Sequence, residues 1–348
     1  MAGETDAGRG DATNPDPEIE VRRARPTDEE SVVAFTRNTW DDRETGDYLP
    51  RVFGDWVESD GPRQRTFVAD VGGRDDPETA VAGVVQTTLL DDGEAWAQGM
   101  RVNPRYRGQG VSRLLTHAGF DWAREQGATA VRIMVFSWNR AGLGSARSIG
   151  YEPTAEFRWV HPEPSPDGLA ARSGASDDSL TVTTDPGVAW RAWQGSDADE
   201  RLSGLALSTA ETWALSELTA GRLSELADDA GEGLGRVVAV RGPSGARAMT
   251  YRTRTYERSG DGDGDGEPET WAEYGVGAWA DLAGARALLS AVARDAAALG
   301  ADRTRVLVPE TARAVSDAAC LRVDIADEPD FVLSADLTAD YRDRGHVD

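Results

Sequence analysis

Val102-Asn103-Pro104-Arg105-Tyr106-Arg107-Gly108-Gln109-Gly110-Val111-Ser112-Arg113-Leu114-Leu115 is the stretch whose reading decides the fold. A strand-like run ends at Val102, two glycines follow one residue apart, and an amphipathic helical pattern opens at about Gly110. Amides at the start of a helix have no partners within it, and the macrodipole adds partial positive charge there. Gly108 and Gly110 let the backbone take positive φ and let an anion approach with no Cβ in the way. The window from Arg101 to Arg113 holds four arginines (Arg101, Arg105, Arg107, Arg113) and no acid. An ordinary glycine turn with solvated arginines would show the same residues, so the surroundings must discriminate. A dinucleotide fingerprint needs a third glycine at position 113, which is Arg. A Walker loop needs a lysine, and every basic residue of this chain is arginine.

Working outward, residues 19–23 alternate as an edge strand, and Pro26-Thr27-Asp28 starts a helix over 31–40. Residues 67–71 and 80–90 read as a hairpin, 95–102 as a further strand, 110–126 as the helix, and 131–136 as an apolar strand. The order β-α-β-β-β-α-β is an α/β (α+β) pattern with a mixed sheet. The proline-rich run from Pro162, continuing in polar residues through Asp178, reads as a linker over 164–178. Beyond it a strand is expected over 189–193, a helix over 198–213 and a hairpin from 237–241 and 246–256. The Gly/Asp run 260–266 lacks the spacing and closing Glu of an EF-hand calcium loop.

The second half echoes the first at an offset of 173 positions. Thr39-Trp40 returns as Thr212-Trp213, Arg113 and Leu115 as Arg286 and Leu288, Gly127-Ala128 as Gly300-Ala301, and Arg132 and Val135 as Arg305 and Val308. Several matches at one offset, each at the same place in the element order, argue for a duplicated domain. The expected division is an acidic tail at 1–18, a first domain at 19–163, the linker, a second domain at 179–340 and a tail at 341–348.

The chain has 348 residues, enough for two cores, with 39% hydrophobic and 28% charged residues. No apolar run approaches the ~20 residues of a membrane helix, and the first 18 residues carry no apolar core of a signal peptide. Cys320 is the only cysteine, and the three histidines (His117, His161, His346) stand far apart, so neither a disulfide nor a metal site is expected. The cytoplasm is the expected compartment. A surface of 61 acids against 37 basic residues, net charge -24, repels nucleic acid and anionic lipid. It resembles the surface of a protein from a salt-saturated cytoplasm.

Arg105-x-x-Gly108-x-Gly110, just after a strand and followed by Val111-Ser112-x-Leu114-Leu115, resembles the acyl-CoA loop of the GNAT N-acetyltransferases. The resemblance covers about residues 19–161. It implies that Gly108, Gln109, Gly110, Val111 and Ser112, with Arg105 and Arg107, hold the pyrophosphate of acetyl-CoA. Met100, Arg101 and Val102 would pair with the pantetheine. Asn139, followed by Gly150-Tyr151, matches the family's later motif and would contact the pantetheine or cysteamine region. Trp40, Tyr48, Phe53 and Trp56 lie where the family places its acceptor pocket, or else are core. The implied activity is direct acetyl transfer to a primary amine, with no metal; a non-catalytic acyl-CoA-binding sensor or interaction protein is the other reading.

The departures bear on catalysis. Ala146 stands where many members carry the tyrosine that protonates the leaving thiolate, which makes Tyr151 and Ser145 the candidate acids. Glu94, Gln98, Met100 and Val102 share one strand face by the period of two, and only Glu94 is ionisable, which makes it the candidate base. In the second half the loop positions become Ala278, Asp281 and Ala283, Asn139 becomes Ala312, and Gly150 becomes Val323. Such a half resembles a degenerate GNAT-like copy in a tandem protein. Two GNAT-like domains, each a mixed, mostly antiparallel twisted sheet flanked by helices, are thus expected.

Overall fold

The computed structural model describes residues 18–40, 46–91, 93–169, 179–229, 233–258, 268–340 and 342. The acidic stretch 1–17, the later part of the linker, the Gly/Asp run and nearly all of 341–348 lie outside the described residues. The first half forms β1 (Ile19–Arg23), β2 (Gln64–Val71), β3 (Val81–Leu89), β4 (Glu94–Val102), β5 (Ala130–Phe136) and β6 (Glu152–His161). The second forms β7 (Thr181–Thr183), β8 (Leu205–Leu207), β9 (Leu215–Glu217), β10 (Val237–Gly242), β11 (Gly245–Arg258), β12 (Glu269–Tyr274), β13 (Ala278–Trp279), β14 (Arg303–Pro309), β15 (Asp324–Ile325) and β16 (Asp330–Asp336).

One mostly antiparallel sheet runs through both halves in the order β1-β2-β3-β4-β5-β16-β6-β14-β12-β11-β10-β7. Among the described residues only β4 with β5 and β12 with β14 pair in parallel. The halves trade their last strands. β6 of the first half pairs with β14 of the second, Leu307 opposite Trp159, while β16 pairs with β5, Phe331 opposite Val135. β16 and β6 also pair with each other and close the seam.

Helices cover the sheet with apolar faces spaced for the purpose. In Leu49–Ser59, Leu49, Phe53 and Val57 recur every four residues and are buried. In Val111–Glu125 the buried face is Val111, Leu115, Phe120, Trp122 and Ala123. Each such Val, Leu or Phe is worth roughly 1.5–3 kcal/mol of burial.

The first-half elements lie close to their expected places, except that the first helix is Glu29–Thr36 and a turn carries the chain to Trp40. The second half corrects two expectations. Residues 189–193 belong to a helix, Pro186–Trp193, with Pro at its first position and Asp185 Oδ1 accepting from the amides of Gly187 and Val188. Residues 198–213 are not one helix: Asp197–Arg201 ends at Ser203 and Gly204, both at positive φ, and β8 follows.

Candidate active site

The turn before the Val111–Glu125 helix is built as an open cradle. Asn103 anchors its start, its Oδ1 accepting from the Arg105 amide while its Nδ2 donates to the carbonyls of Glu78 and Val81. Gly108 and Gly110 then adopt φ of 77° and 76°, the left-handed region that favours glycine. A Cβ at either would meet nothing within 4 Å, so the concave side is clear. Gly110 is the N-cap, and no side chain caps the helix. Its first internal bond runs from Leu114 N–H to Gly110 C=O, which leaves the Val111 and Ser112 amides without an intrahelical acceptor. These features fit a diphosphate.

Beside the cradle the sheet opens. β4 and β5 pair only from Glu94 opposite Ala130 to Trp96 opposite Arg132, and the parallel ladder stops there. Past that point β4 and β5 no longer pair, so the two strands part on the way toward the cradle. β4 also carries a bulge, because Gln86 faces Gln98 and Val84 faces Arg101. Gly99 sits in it at φ 66°, and a Cβ there would come within 2.6 Å of the Trp56 ring.

The bulge corrects the period-two reading of this strand. Ala95 and Ala97 pack with Phe120 and Ala123 of the helix; beyond the extra residue, Met100 and Val102 pack on the same side against Val111 and Leu115. Gln98 and Arg101 fall together on the opposite face. There Gln98 Nε2 donates to Gln86 Oε1 at 2.8 Å, and Arg101 forms a two-bond pair with Asp47 at 2.8 and 3.0 Å.

The remaining expected residues are placed as follows. Arg105 is exposed and paired with Glu78 at 2.6 Å, so with Arg101 held by Asp47 two of the four arginines already have acids. Arg107 and Gln109 are exposed at the cradle. Ser112 meets Ser145 across the groove, Oγ to Oγ at 3.1 Å. Asn139 caps the Arg140–Ile149 helix, its Oδ1 accepting from the Gly142 amide at 2.9 Å. Glu94 lies at the far end of β4, buried, paired with Arg132 and accepting from the Glu217 amide through both oxygens. Tyr151 is 3% exposed and set edge-on to Phe120, and burial pushes its phenol above the ordinary range.

Sequence reasoning missed the second-half residues that approach this part of β4 and β5. Glu211 there is half-buried, with Oε1 accepting from the Thr212 amide at 2.8 Å, and its carboxylate lies near Gln98. Trp213 stands edge-on to Phe136, which stacks on Trp138, and Trp138 meets Trp40 edge-on. The Thr-Trp echo at 39–40 and 212–213 was the only signal, and it does not say which half Glu211 faces.

The second half treats its corresponding helix differently. Asp281 is the N-cap of Leu282–Ala298, Oδ1 accepting from the Gly284 amide at 2.9 Å, and is paired with Arg247. The constant offset matches Asp281 to Gly108, whereas by position in the helix it stands where Gly110 does. Its carboxylate fills the place an incoming anion would take. The corresponding strand parting is bridged too: the Gly277 amide donates to Leu307 at 2.7 Å and the Leu207 amide to Gly275 at 3.0 Å.

Among the described residues no group of ligands suits a metal ion, and no helix is long and apolar enough to cross a membrane. The sequence matches the acetyltransferase (GNAT) family over residues 29–151. No curated protein matches the chain. Among solved structures, the chain is similar to a GCN5-related N-acetyltransferase from Sphaerobacter thermophilus, with a TM-score of 0.53, 14% identity, and coverage of 92% of this chain and 96% of that one. Another, from Kribbella flavida, aligns with a TM-score of 0.41 at 14% identity over 93% of this chain and 73% of that one. PaiA N-acetyltransferase from Thermoplasma acidophilum, solved with coenzyme A, aligns at 0.34 and 13% over 39% of this chain and 91% of that one. At these identities the first likeness is one of fold, and it spans both halves. Residues 29–151 are thus a GNAT acetyltransferase domain, set in a sheet that continues through the rest of the chain.

Proposed function

We propose that the first half binds acetyl-CoA and moves its acetyl group directly to a primary amine. The observation that carries this is the pairing of an uncapped helix start, behind two left-handed glycines, with a strand that has parted from its neighbour. Gly108 to Ser112 and Arg107 would hold the pyrophosphate. Backbone groups of Met100 to Val102 would line the pantetheine and polarise the thioester carbonyl, an electrostatic contribution made by fixed dipoles. The coenzyme supplies an activated acyl group; the chain supplies position and a water-poor cleft. Asn139 and Ser145 would border the pantetheine end, and no metal is required.

The second half, with its helix start capped by Asp281 and its strand parting bridged, is read as a degenerate copy of the same domain. A sensor that binds acyl-CoA without transfer has one observation in its favour: Ala146 replaces the family's tyrosine, while the Tyr151 phenol lies in the core.

Calorimetry with acetyl-CoA in concentrated potassium chloride tests the seat. Gly110→Asp installs the carboxylate that the second half already carries, and affinity should fall by about 100-fold, the worth of one or two charge-assisted hydrogen bonds. Unchanged affinity would reject the proposal. Thiol release from acetyl-CoA in the presence of amines separates transfer from sensing.

A further inference from the structure

From the cross-half geometry we infer that Glu211, supplied by the second half, is the acceptor-binding carboxylate of the first half's site, receiving a cationic primary amine among aromatic faces and taking its proton. The inference rests on the acetyl-transfer reading above.

Position is the first ground. Gln98 stands one residue before the Gly99 bulge and two after the last β4–β5 pair, on the stretch where the thioester would lie. Its Nε2 donates to Gln86 Oε1, Gln86 Nε2 donates to Thr66 Oγ1 at 3.2 Å, and that hydroxyl donates to Asp60 Oδ1 at 3.0 Å. This chain fixes the Gln98 amide beside the Glu211 carboxylate, whose Oε1 accepts from the Thr212 amide at 2.8 Å. The Glu211 main chain is pinned as well, its carbonyl accepting from Arg254 Nη2 at 3.0 Å. A long side chain held at both ends loses little entropy on meeting a ligand.

Surroundings are the second ground. Tyr48 and Trp56 meet edge-on at 6.1 Å, the Arg101 guanidinium lies 4.1 Å from the Trp40 ring centre, and the row Trp40, Trp138, Phe136, Trp213 continues onto the second half. All six rings are only half-buried. Aromatic faces beside one carboxylate favour an ammonium group over an anion or a neutral ligand. The charged group facing Glu211 is Arg254, and Tyr48, itself beside Arg101 and Asp47, is its titratable neighbour. Arg254 is paired with Glu273 at 3.0 Å, an acid it shares with Arg305, and Arg101 is paired with Asp47. Burial raises the Glu211 carboxyl above its ordinary range, toward the value a base working near neutrality needs.

The step balances without another reagent. Glu211 takes one proton from the ammonium. The freed nitrogen pair forms the C–N bond, and the C–S bond breaks with its electrons on sulfur. The second N–H proton ends on that sulfur as the thiol, and Glu211 returns its proton to solvent. The acceptor therefore spans both halves, which gives the second half a role that needs no coenzyme of its own.

The test uses the full chain in concentrated potassium chloride and two readouts. Acetyl-CoA affinity by calorimetry reports the coenzyme seat alone; thiol release with tyramine, spermidine and glycinamide, followed against pH, reports the acceptor. Glu211→Gln should keep the coenzyme affinity, lower kcat/KM by roughly 10²–10⁴-fold, and remove the limb along which the wild-type rate climbs with pH. Glu211→Asp should recover part of the loss. A Glu211→Gln enzyme as active as wild type overturns the inference and leaves the acetyl-transfer reading standing. So does a wild-type protein that releases thiol only with neutral amines, or that binds acetyl-CoA and uses none of the three. Failure of the wild type to bind acetyl-CoA removes the reading and the inference together.

Discussion

Trp40 and Trp213, 173 positions apart, hold the same left-handed backbone, with φ of 66° and 63°, and each lies under an arginine, Arg101 at 4.1 Å and Arg305 at 4.4 Å. A bulky residue in this region is strained and persists only where its surroundings fix it. Replacing the ring by Ala or by Gly removes the same contacts, but only Gly relieves the backbone. Trp40→Gly should therefore be more stable than Trp40→Ala by about 0.5–1 kcal/mol, the reverse of the usual order. Urea midpoints of the two variants check this.

Glu94 and Arg132 are 9% and 7% exposed and pair across the start of the β4–β5 ladder. Removing one partner leaves the other charge buried, at a cost of about 3–5 kcal/mol. Glu94→Ala should lose that much by denaturant unfolding, and Glu94→Ala/Arg132→Met should regain a large part of it. A loss of transfer rate in Glu94→Ala with stability unchanged would instead return Glu94 to the role of base.

Asp330 opens β16 at the seam, and burial first, then Glu328, pushes its carboxyl from 3.8 up to about 7. The folded state thus holds a proton that the unfolded chain releases near 4. Stability contributed by the protonated acid is present below that point, declines as pH rises toward about 7, and is flat above. Asp330→Asn should flatten this slope, measured by thermal unfolding across pH 4 to 8.

The exchanged strands make the halves interdependent. A chain cut within 170–178 and expressed as separate pieces should give neither a cooperative unfolding transition nor acetyl-CoA binding, because the first piece lacks β16 and the second lacks β6. Co-expression of both pieces should restore both properties. A first piece that binds acetyl-CoA alone would refute this.

Much of the first half was legible because its signals are local. The two glycines, the uncapped helix start, the alternation in β1 and the β-rich runs of β2 and β3 each act within a few residues, and the observed elements fall near those positions. The Pro186–Trp193 helix was readable too, since Asp185 and Pro186 form a helix start; the apolar run behind them drew the strand reading. Gly204 should have broken the expected 198–213 helix. The β4 bulge has no signature beyond a glycine, yet it moves Gln98 and Arg101 to one face. Nothing local announces that β6 will lie on β14, or that Glu211 will face β4, because pairings of that span are decided by which edges the completed halves leave open.

The trade of last strands also sets an order of events in the cell. Residues 19–163 leave the ribosome with an open place beside β5, and its filler, residues 330–336, is made some 170 residues later. Pairing over such a separation is slow, and an unfilled strand edge invites association with other chains. At the usual synthesis rate of roughly 5–20 residues per second, the exposed edge must wait on the order of ten seconds or more for its partner.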